Sequence, residues 1–266
     1  MNRLLPARSC LITLAVLLSS ATNILADTLP ADRGTIEITP LIHSSVQLEY
    51  RSQVIQIDPW GVRGLPNAKR ADLILITDNP GHHLDVDAIE RLSKPNATVI
   101  IPANSLEDLP YGVVLNNGGM IRASGLTVEA IAAYDIIPGA PEHPKGDANG
   151  YVFELGGKRF FFAGVTECVD EVKALQGIDV AFLPMNIPIG RMRPGATAEC
   201  AKIINPDVVY LYHYDQNYAR RAVRPDYPTT ILDSGLTVEQ SLDLFEELMA
   251  DSGIEIRRGD FYPPLN

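Results

Sequence analysis

From residue 35 onward the chain alternates short apolar runs with turn-forming residues, the pattern of successive strands. Runs at 35–41, 45–50 and 53–58 are separated by Ser44 and by Arg51-Ser52, as in a meander, and Pro59 stops the last. The aliphatic run 73–76 has the length and β-branching of a buried strand. Further strands are expected at 98–101, 113–115, 120–122 and 126–132, and a helical turn at 105–109. Runs 151–155 and 159–163 flank Gly156-Gly157, whose freedom to adopt positive φ suits a tight hairpin. Runs 180–183, 208–212 and 254–257 complete the strands.

Helical periodicity is confined to a few places. Val86, Ile89 and Leu92 share one face behind Asp85, a good amino-terminal cap. Short helices are expected at 171–175 and at 197–204, the latter closed by Asn205-Pro206. Thr237 and Gln240 match a capping box, followed by Val238, Leu242, Phe245 and Leu248 or Met249 at helical spacing. Strands in two groups, each accompanied by helices, predict a β-sandwich flanked by helices.

Composition adds limits. The 266 residues, 46% of them hydrophobic, can bury a large core, and no compositional break marks a linker. A net charge of −11 opposes phosphate backbones, so nucleic acid is excluded as an expected partner. The first residues are basic (Arg3, Arg8), residues 10–18 are apolar, and 19–26 are small and polar. This is the pattern of a secretory signal peptide, too short in its apolar part to span a bilayer, with cleavage expected near Ala26 and Ala21 as a competing site. The expectation is therefore a signal peptide over 1–26, one domain over 27–266, and an exported, periplasmic or secreted protein without integral membrane association. Cys168 and Cys200 remain in the mature chain, and their spacing allows either a disulfide or two buried thiols.

Candidate chemistry concentrates at the end of the 73–76 run. There a polar turn holds Asp78, His82 and His83, two adjacent imidazoles and a carboxylate suited to a borderline metal such as zinc. Asp78-Asn79-Pro80-Gly81 is equally a good β-turn sequence, which leaves the histidines as turn-exit residues in the alternative. The chain's five histidines, His43, His82, His83, His143 and His213, all fall in turns or at strand ends, where ligands from distant segments can meet at one sheet edge. Arg220, Arg221 and Arg224 lie in what reads as a Pro-containing loop after His213, able either to attract an anionic substrate or simply to be solvated.

At these residues the chain resembles the metallo-β-lactamase fold, in the branch similar to the ascorbate-phosphate lactonases. The resemblance rests on His43-Ser44-Ser45-Val46, Ile57-Asp58-Pro59-Trp60, residues 71–85, His143-Pro144-Lys145-Gly146, residues 162–167, residues 182–186 and Tyr212-His213-Tyr214. It implies a four-layer αβ/βα sandwich with a metal site at one edge. The family's motif Thr-His-x-His-x-Asp-His is altered here: its first histidine falls on Asp78, its second on Pro80, its aspartate on His82, and its last histidine is kept as His83. The aspartate that bridges two metals in the family falls on Val165. Without that carboxylate the dinuclear centre is not expected. One divalent metal, zinc first with iron or manganese as alternatives, is expected on a set drawn from Asp78, His82, His83, His143 and His213.

The resemblance then implies water activation against an ester, lactone or phosphodiester in a small-molecule substrate. Asp78, if not a ligand, is the candidate proton acceptor, and Lys145 or Tyr214 a candidate oxyanion stabiliser. Lys145 as a solvated loop residue and Tyr214 as a packed one are the plainer readings. Pro80 and Val165 favour the alternative of a catalytically inactive member that binds a small molecule or protein, and a metal-binding or redox role without hydrolysis is the third reading.

Overall fold

β-Branched and aromatic runs build two seven-stranded sheets in this computed structural model, which describes residues 26–262 apart from 64, 66, 140 and 233. The expected signal segment thus lies, over residues 1–25, outside the described residues. The first sheet contains, in chain order, β1 (Asp27–Ala31), β2 (Gly34–Ile42), β3 (Ser45–Tyr50), β4 (Gln53–Ile57), β5 (Ala71–Leu75), β6 (Ser93–Ile101) and β7 (Val113–Val114). The second contains β8 (Met120–Ala123), β9 (Leu126–Ala133), β10 (Ala148–Leu155), β11 (Lys158–Phe162), β12 (Val180–Pro184), β13 (Val208–Tyr212) and β14 (Glu255–Arg257). Each sheet starts as an antiparallel meander and ends parallel, over β4 to β7 in one and β11 to β14 in the other. The parallel halves direct several strands' carboxyl ends to one edge, the usual location of a ligand site in sheets of this kind.

The inner faces meet in one core. Ile36, Ile38, Leu48, Ile55 and Leu73 from the first sheet oppose Phe153, Phe160, Phe162, Phe182 and Tyr210 from the second. Phe182 stacks between Phe162 and Tyr210, with ring centroids 4.3 and 4.6 Å away, so neighbouring strands are held by aromatic contact as well as by their ladder. The outer faces are covered by helices. The helix α1 (Val86–Leu92) seals the first sheet through Ile89 against Ile74, Ile76 and Val99. On the second sheet, α2 (Asp170–Lys173), α3 (Pro194–Ile204) and α5 (Val238–Met249) bury Val172, Ala201 and Phe245 against Phe161, Ala181 and Val209. The result is the expected αβ/βα sandwich.

Both predicted caps are formed: Asp85 accepts from the Ala88 amide, and Thr237 with Gln240 makes a complete capping box. Two elements were not legible. The strand β1 has no apolar run, and Pro30 is tolerated because β1 pairs only with β2 at the sheet edge. The basic stretch after His213 is not the expected loop. Its first part is a helix, α4 (Tyr218–Val223), anchored by buried Tyr218, with Arg220 and Arg221 near its carboxyl end, where cations suit the helix dipole. The turn expected at 105–109 is a 3₁₀ turn at Ala103–Ser105, and Leu109 closes it from the core by bonding back to Ser105. No described helix is long and apolar enough to cross a membrane.

Candidate metal centre

Five strand ends supply the site. His43 follows β2, Asp58 follows β4, Thr77 and Asp78 follow β5, Asn186 follows β12 and His213 follows β13. His43, Asp58, Asn186 and His213 have φ of 58°, 42°, 58° and 57°, the left-handed region that non-glycine residues rarely enter. Strain of this kind concentrates where function over-determines the backbone. Here it turns each chain sharply out of its strand. The turn after β5 is organised by Pro80, whose carbonyl accepts the amides of His83 (2.7 Å) and Leu84 (2.9 Å) and so presents His82 and His83 side by side.

One ring nitrogen from each of His43, His82 and His213 lies within 4.8 Å of the others. His83 adjoins them, with its Nε2 3.2 Å from His213 Nε2. Two donors on one tetrahedral zinc, each about 2.0–2.1 Å from it, stand about 3.3 Å apart, so this spacing fits a shared ion as well as a hydrogen bond. His43 and His83 are held from behind by oxygens that can accept a ring N–H, as ligating histidines usually are, whereas the nitrogen nearest His213 Nδ1 is itself a donor. His43 Nδ1 contacts Tyr262 Oη at 2.8 Å, His83 Nδ1 contacts Asp58 Oδ2 at 2.7 Å, and Gln216 Nε2 lies 3.1 Å from His213 Nδ1. Trp60 packs edge-on to His43 and His82, with ring centroids 5.7 and 5.9 Å away.

Electrostatics keep most of this cluster uncharged. Burial pushes His43 and His213 well below the ordinary histidine pKa, and burial with neighbouring His83 takes His82 down to about 3. Neutral imidazoles carry the lone pairs that a metal needs. His83 differs. Burial opposes its charge, but the Asp58 carboxylate outweighs burial and raises it. Asp58 is itself well bound, accepting from the Thr77 amide (2.7 Å) and hydroxyl (2.6 Å).

Asp78 and His143 form a second group beside the first. Asp78 Oδ2 is 3.1 Å from His143 Nε2, outside hydrogen-bond geometry, and is a buried oxygen with no hydrogen-bond partner. Burial raises the Asp78 pKa, but His143 and His83 bring it below the ordinary carboxylate value. His143 Nδ1 lies 3.1 Å from Arg191 Nη1, and the fully buried Arg191 also bonds Asp135 and Glu142. His143 Nδ1 also lies 3.5 Å from Asp135 Oδ1, so the ring is held between Arg191 and Asp135 on one side and faces Asp78 through Nε2 on the other. Val165, where the resemblance places a bridging aspartate, packs with Ala133 and Ala148 in a small apolar cluster.

Of the expected site residues, His82, His83 and His213 are brought together, and Asp78 and His143 stand next to them as a pair. Lys145 and Tyr214 are placed differently. The Lys145 ammonium is exposed, bonded to Glu171, and 4.9 Å from the Tyr134 ring centre. Tyr214 is buried with its ring 4.7 Å from that of Tyr262. His43 was legible as a strand-end histidine but had no place in the altered motif, so the third member of the cluster escaped the ligand set. Tyr262, Gln216 and Arg191 are remote in sequence and carried no signal of a role.

A donor set of three neutral imidazoles, with a fourth adjacent and one unpartnered buried carboxylate oxygen, fits a divalent metal. Comparison with known proteins gives the family. The sequence model of the family described as "Beta-lactamase superfamily domain" matches residues 37–213. A UPF0173 metal-dependent hydrolase of Thermus thermophilus is 30% identical over 195 residues, covering 68% of this chain and 84% of the relative. A solved structure from Parabacteroides distasonis, described as a candidate metal-dependent hydrolase, superposes with a TM-score of 0.73 at 31% identity, covering 89% of this chain and 99% of that one. The metallo hydrolase Igni18 of Ignicoccus hospitalis shares the fold, with a TM-score of 0.61 at 20% identity and coverage of 84% and 94%. The chain belongs to the metallo-β-lactamase superfamily.

Proposed function

We propose that the protein is a metal-dependent hydrolase with a mononuclear centre held by His43, His82 and His213, with His83 completing the set. The observation that carries this reading is the convergence of three burial-neutralised imidazoles within 4.8 Å from three separate strand ends. A divalent ion, zinc first and iron or manganese as alternatives, would supply acidification of water toward neutral pH and Lewis-acid polarisation of the bond under attack. The chain's own residues do the rest. Asp78 Oδ2, buried, unpartnered and favoured in its ionised form, takes the proton from the attacking water. His143 Nε2 faces that carboxylate, and Arg191 holds the ring in place through Nδ1. Asp58 fixes the plane of His83. Water attack at an ester or lactone carbonyl, or at a phosphodiester, is the chemistry this arrangement supports.

Absence of a bridging carboxylate at Val165 supports one metal instead of two. The same Val165, with Pro80, favours a second reading in which the cleft binds a small molecule or protein without turning it over. Export to an oxidising compartment belongs to the proposal, supported by the amino-terminal sequence pattern and by a Cys168–Cys200 disulfide. Asp78→Asn tests the mechanism. Assayed on 4-nitrophenyl esters, γ-lactones and bis(4-nitrophenyl) phosphate, the variant is expected to keep its metal and lose about 10²–10⁴-fold in kcat. A variant with full activity removes Asp78 from catalysis, and an unaltered protein inactive on every substrate class favours the binding reading.

A further inference from the structure

The turn that brings Asp135 and His143 to the candidate centre is not shaped by its own apolar side chains, because Ile136 and Ile137 are 52% and 39% exposed. Polar anchors hold it instead. Asp135 is the inner one. Its Oδ2 accepts the amides of Glu142 (2.8 Å) and His143 (3.0 Å), and its own amide bonds the His143 carbonyl (3.0 Å). Its Oδ1 meets the buried Arg191 guanidinium and lies 3.5 Å from His143 Nδ1. The direction of the His143 ring therefore follows the placement of Asp135.

The outer anchor is Glu167, a buried carboxylate between β11 and α2. Its Oε2 accepts two successive amides, those of Ile136 (2.5 Å) and Ile137 (2.8 Å), and bonds from a charged acceptor are stronger than neutral ones. The Glu167 amide bonds the Tyr134 carbonyl (3.2 Å), and Thr166 Oγ1 accepts the Tyr134 amide (3.2 Å). Asp135 is thus pinned through its neighbours on both sides. Glu167 is fixed at its base as well. Its carbonyl accepts the Val169 amide (2.9 Å) and the Thr166 hydroxyl (2.8 Å). The next residue, Cys168, is bridged to Cys200 on α3, the helix that follows the Arg191 loop. The backbone beside Glu167 and the element beside Arg191 are in this way fastened together.

We propose that Glu167 is a positioning residue for the reaction: by pinning residues 136 and 137 it sets Asp135, through Asp135 the His143 ring, and through that ring the surroundings of the Asp78 carboxylate, without touching metal or substrate. The effect on turnover rests on the hydrolase reading; the effect on the His143 ring does not. A supporting group of this kind is worth a large factor in rate, since a displacement of about 1 Å far from the reacting atoms costs on the order of 10²-fold.

The test uses Glu167→Met and Glu167→Gln in the purified, metal-loaded protein. Met keeps the volume and removes the acceptor, whereas Gln keeps a carbonyl oxygen for both amides and removes only the charge. The amides freed in Glu167→Met belong to an exposed turn that water reaches, and an unchanged circular dichroism spectrum verifies the fold. If the spectrum changes, Glu167→Asp, which retracts the same carboxylate by one methylene, takes its place with the same direction of effect. In Glu167→Met, hydrogen exchange at the Ile136 and Ile137 amides is expected to quicken by about tenfold or more. The His143 resonances in ¹⁵N-histidine spectra are expected to move while those of His43, His82 and His213 stay. On 4-nitrophenyl esters, kcat is expected to fall about 10–100-fold, with KM within about threefold and the metal retained. Glu167→Gln is expected to restore the His143 resonances and to bring kcat within about threefold of the parent. A merely structural role would lower stability without moving one ring or separating kcat from KM. Unmoved His143 resonances in Glu167→Met overturn the proposal, as does loss of metal in place of kcat. If the unaltered protein hydrolyses nothing, the hydrolase reading fails, and amide exchange with the ring spectra decides the positioning alone.

Discussion

Asp58 shows how much a single residue carries. It is fully buried in a left-handed backbone conformation, and its two carboxylate oxygens serve the Thr77 amide, the Thr77 hydroxyl and His83 Nδ1. Asp58→Asn keeps the size and tolerates the backbone but turns an amide donor toward groups that are themselves donors. The expected cost is about 3–5 kcal/mol of stability, read from urea unfolding, together with a 10–100-fold loss of metal affinity through the unsupported His83. A variant as stable and as avid as the parent would remove Asp58 from the centre. Lys145→Ala, by contrast, is expected to change kcat by less than about twofold, because its ammonium is engaged by Glu171 in solvent; a large kcat loss would return Lys145 to the site. At this scale the sequence revealed the histidines themselves and the turn chemistry of 78–83. It did not reveal their supports, since Tyr262 lies 219 residues from His43 and nothing local marks a residue whose role is set by a distant partner.

Elements were more legible than contacts. Apolar runs and caps located most of the strands and the principal helices, because each is set by neighbours a few residues away. The edge strand β1 and the helix α4 are held mainly by tertiary packing, so their own sequences say little. Pairing of Cys168 with Cys200 was equally open from spacing, and the structure joins Cys168, before α2, to Cys200 in α3, with a sequence separation of 32. Closing a loop of that size is worth about 3–4 kcal/mol on the chain-entropy view. Cys168→Ala/Cys200→Ala is expected to lose stability of that order in urea unfolding, with m rising as the unfolded chain expands, and equal stabilities with and without the bridge would contradict the element's role. Because α3 begins just after Arg193, the bridge also steadies the loop that carries Arg191.

Across the whole molecule, a sandwich of two half-parallel sheets gathers strand ends at one edge and surrounds them with hydrophobic walls, which is why His43, His83 and His213 can be buried together with His82 half-buried beside them. That burial has a consequence for pH. His43, His82 and His213 titrate lower in the folded chain than in the unfolded one, so the unfolded state binds more protons below about pH 6.5 and stability falls as pH is lowered through that range. Each neutral histidine contributes up to about 1.4 kcal/mol per pH unit there. His83 has the opposite sign, its contribution being full below about pH 6.5 and lost as pH rises through its raised value. In chelator, thermal melts should therefore show Tm falling from pH 7 to pH 5, less steeply in His82→Asn; a flat or rising Tm over that interval would contradict the neutral cluster.

The most direct measurement is metal content by inductively coupled plasma mass spectrometry on the purified protein, with His43→Ala, His213→Ala and His143→Ala alongside. One equivalent of zinc, iron or manganese is expected, lost in the His43 and His213 variants and retained in the His143 variant. Two equivalents, retention in His43→Ala, or no metal even after reconstitution with each ion would contradict a mononuclear centre built on these strand-end histidines.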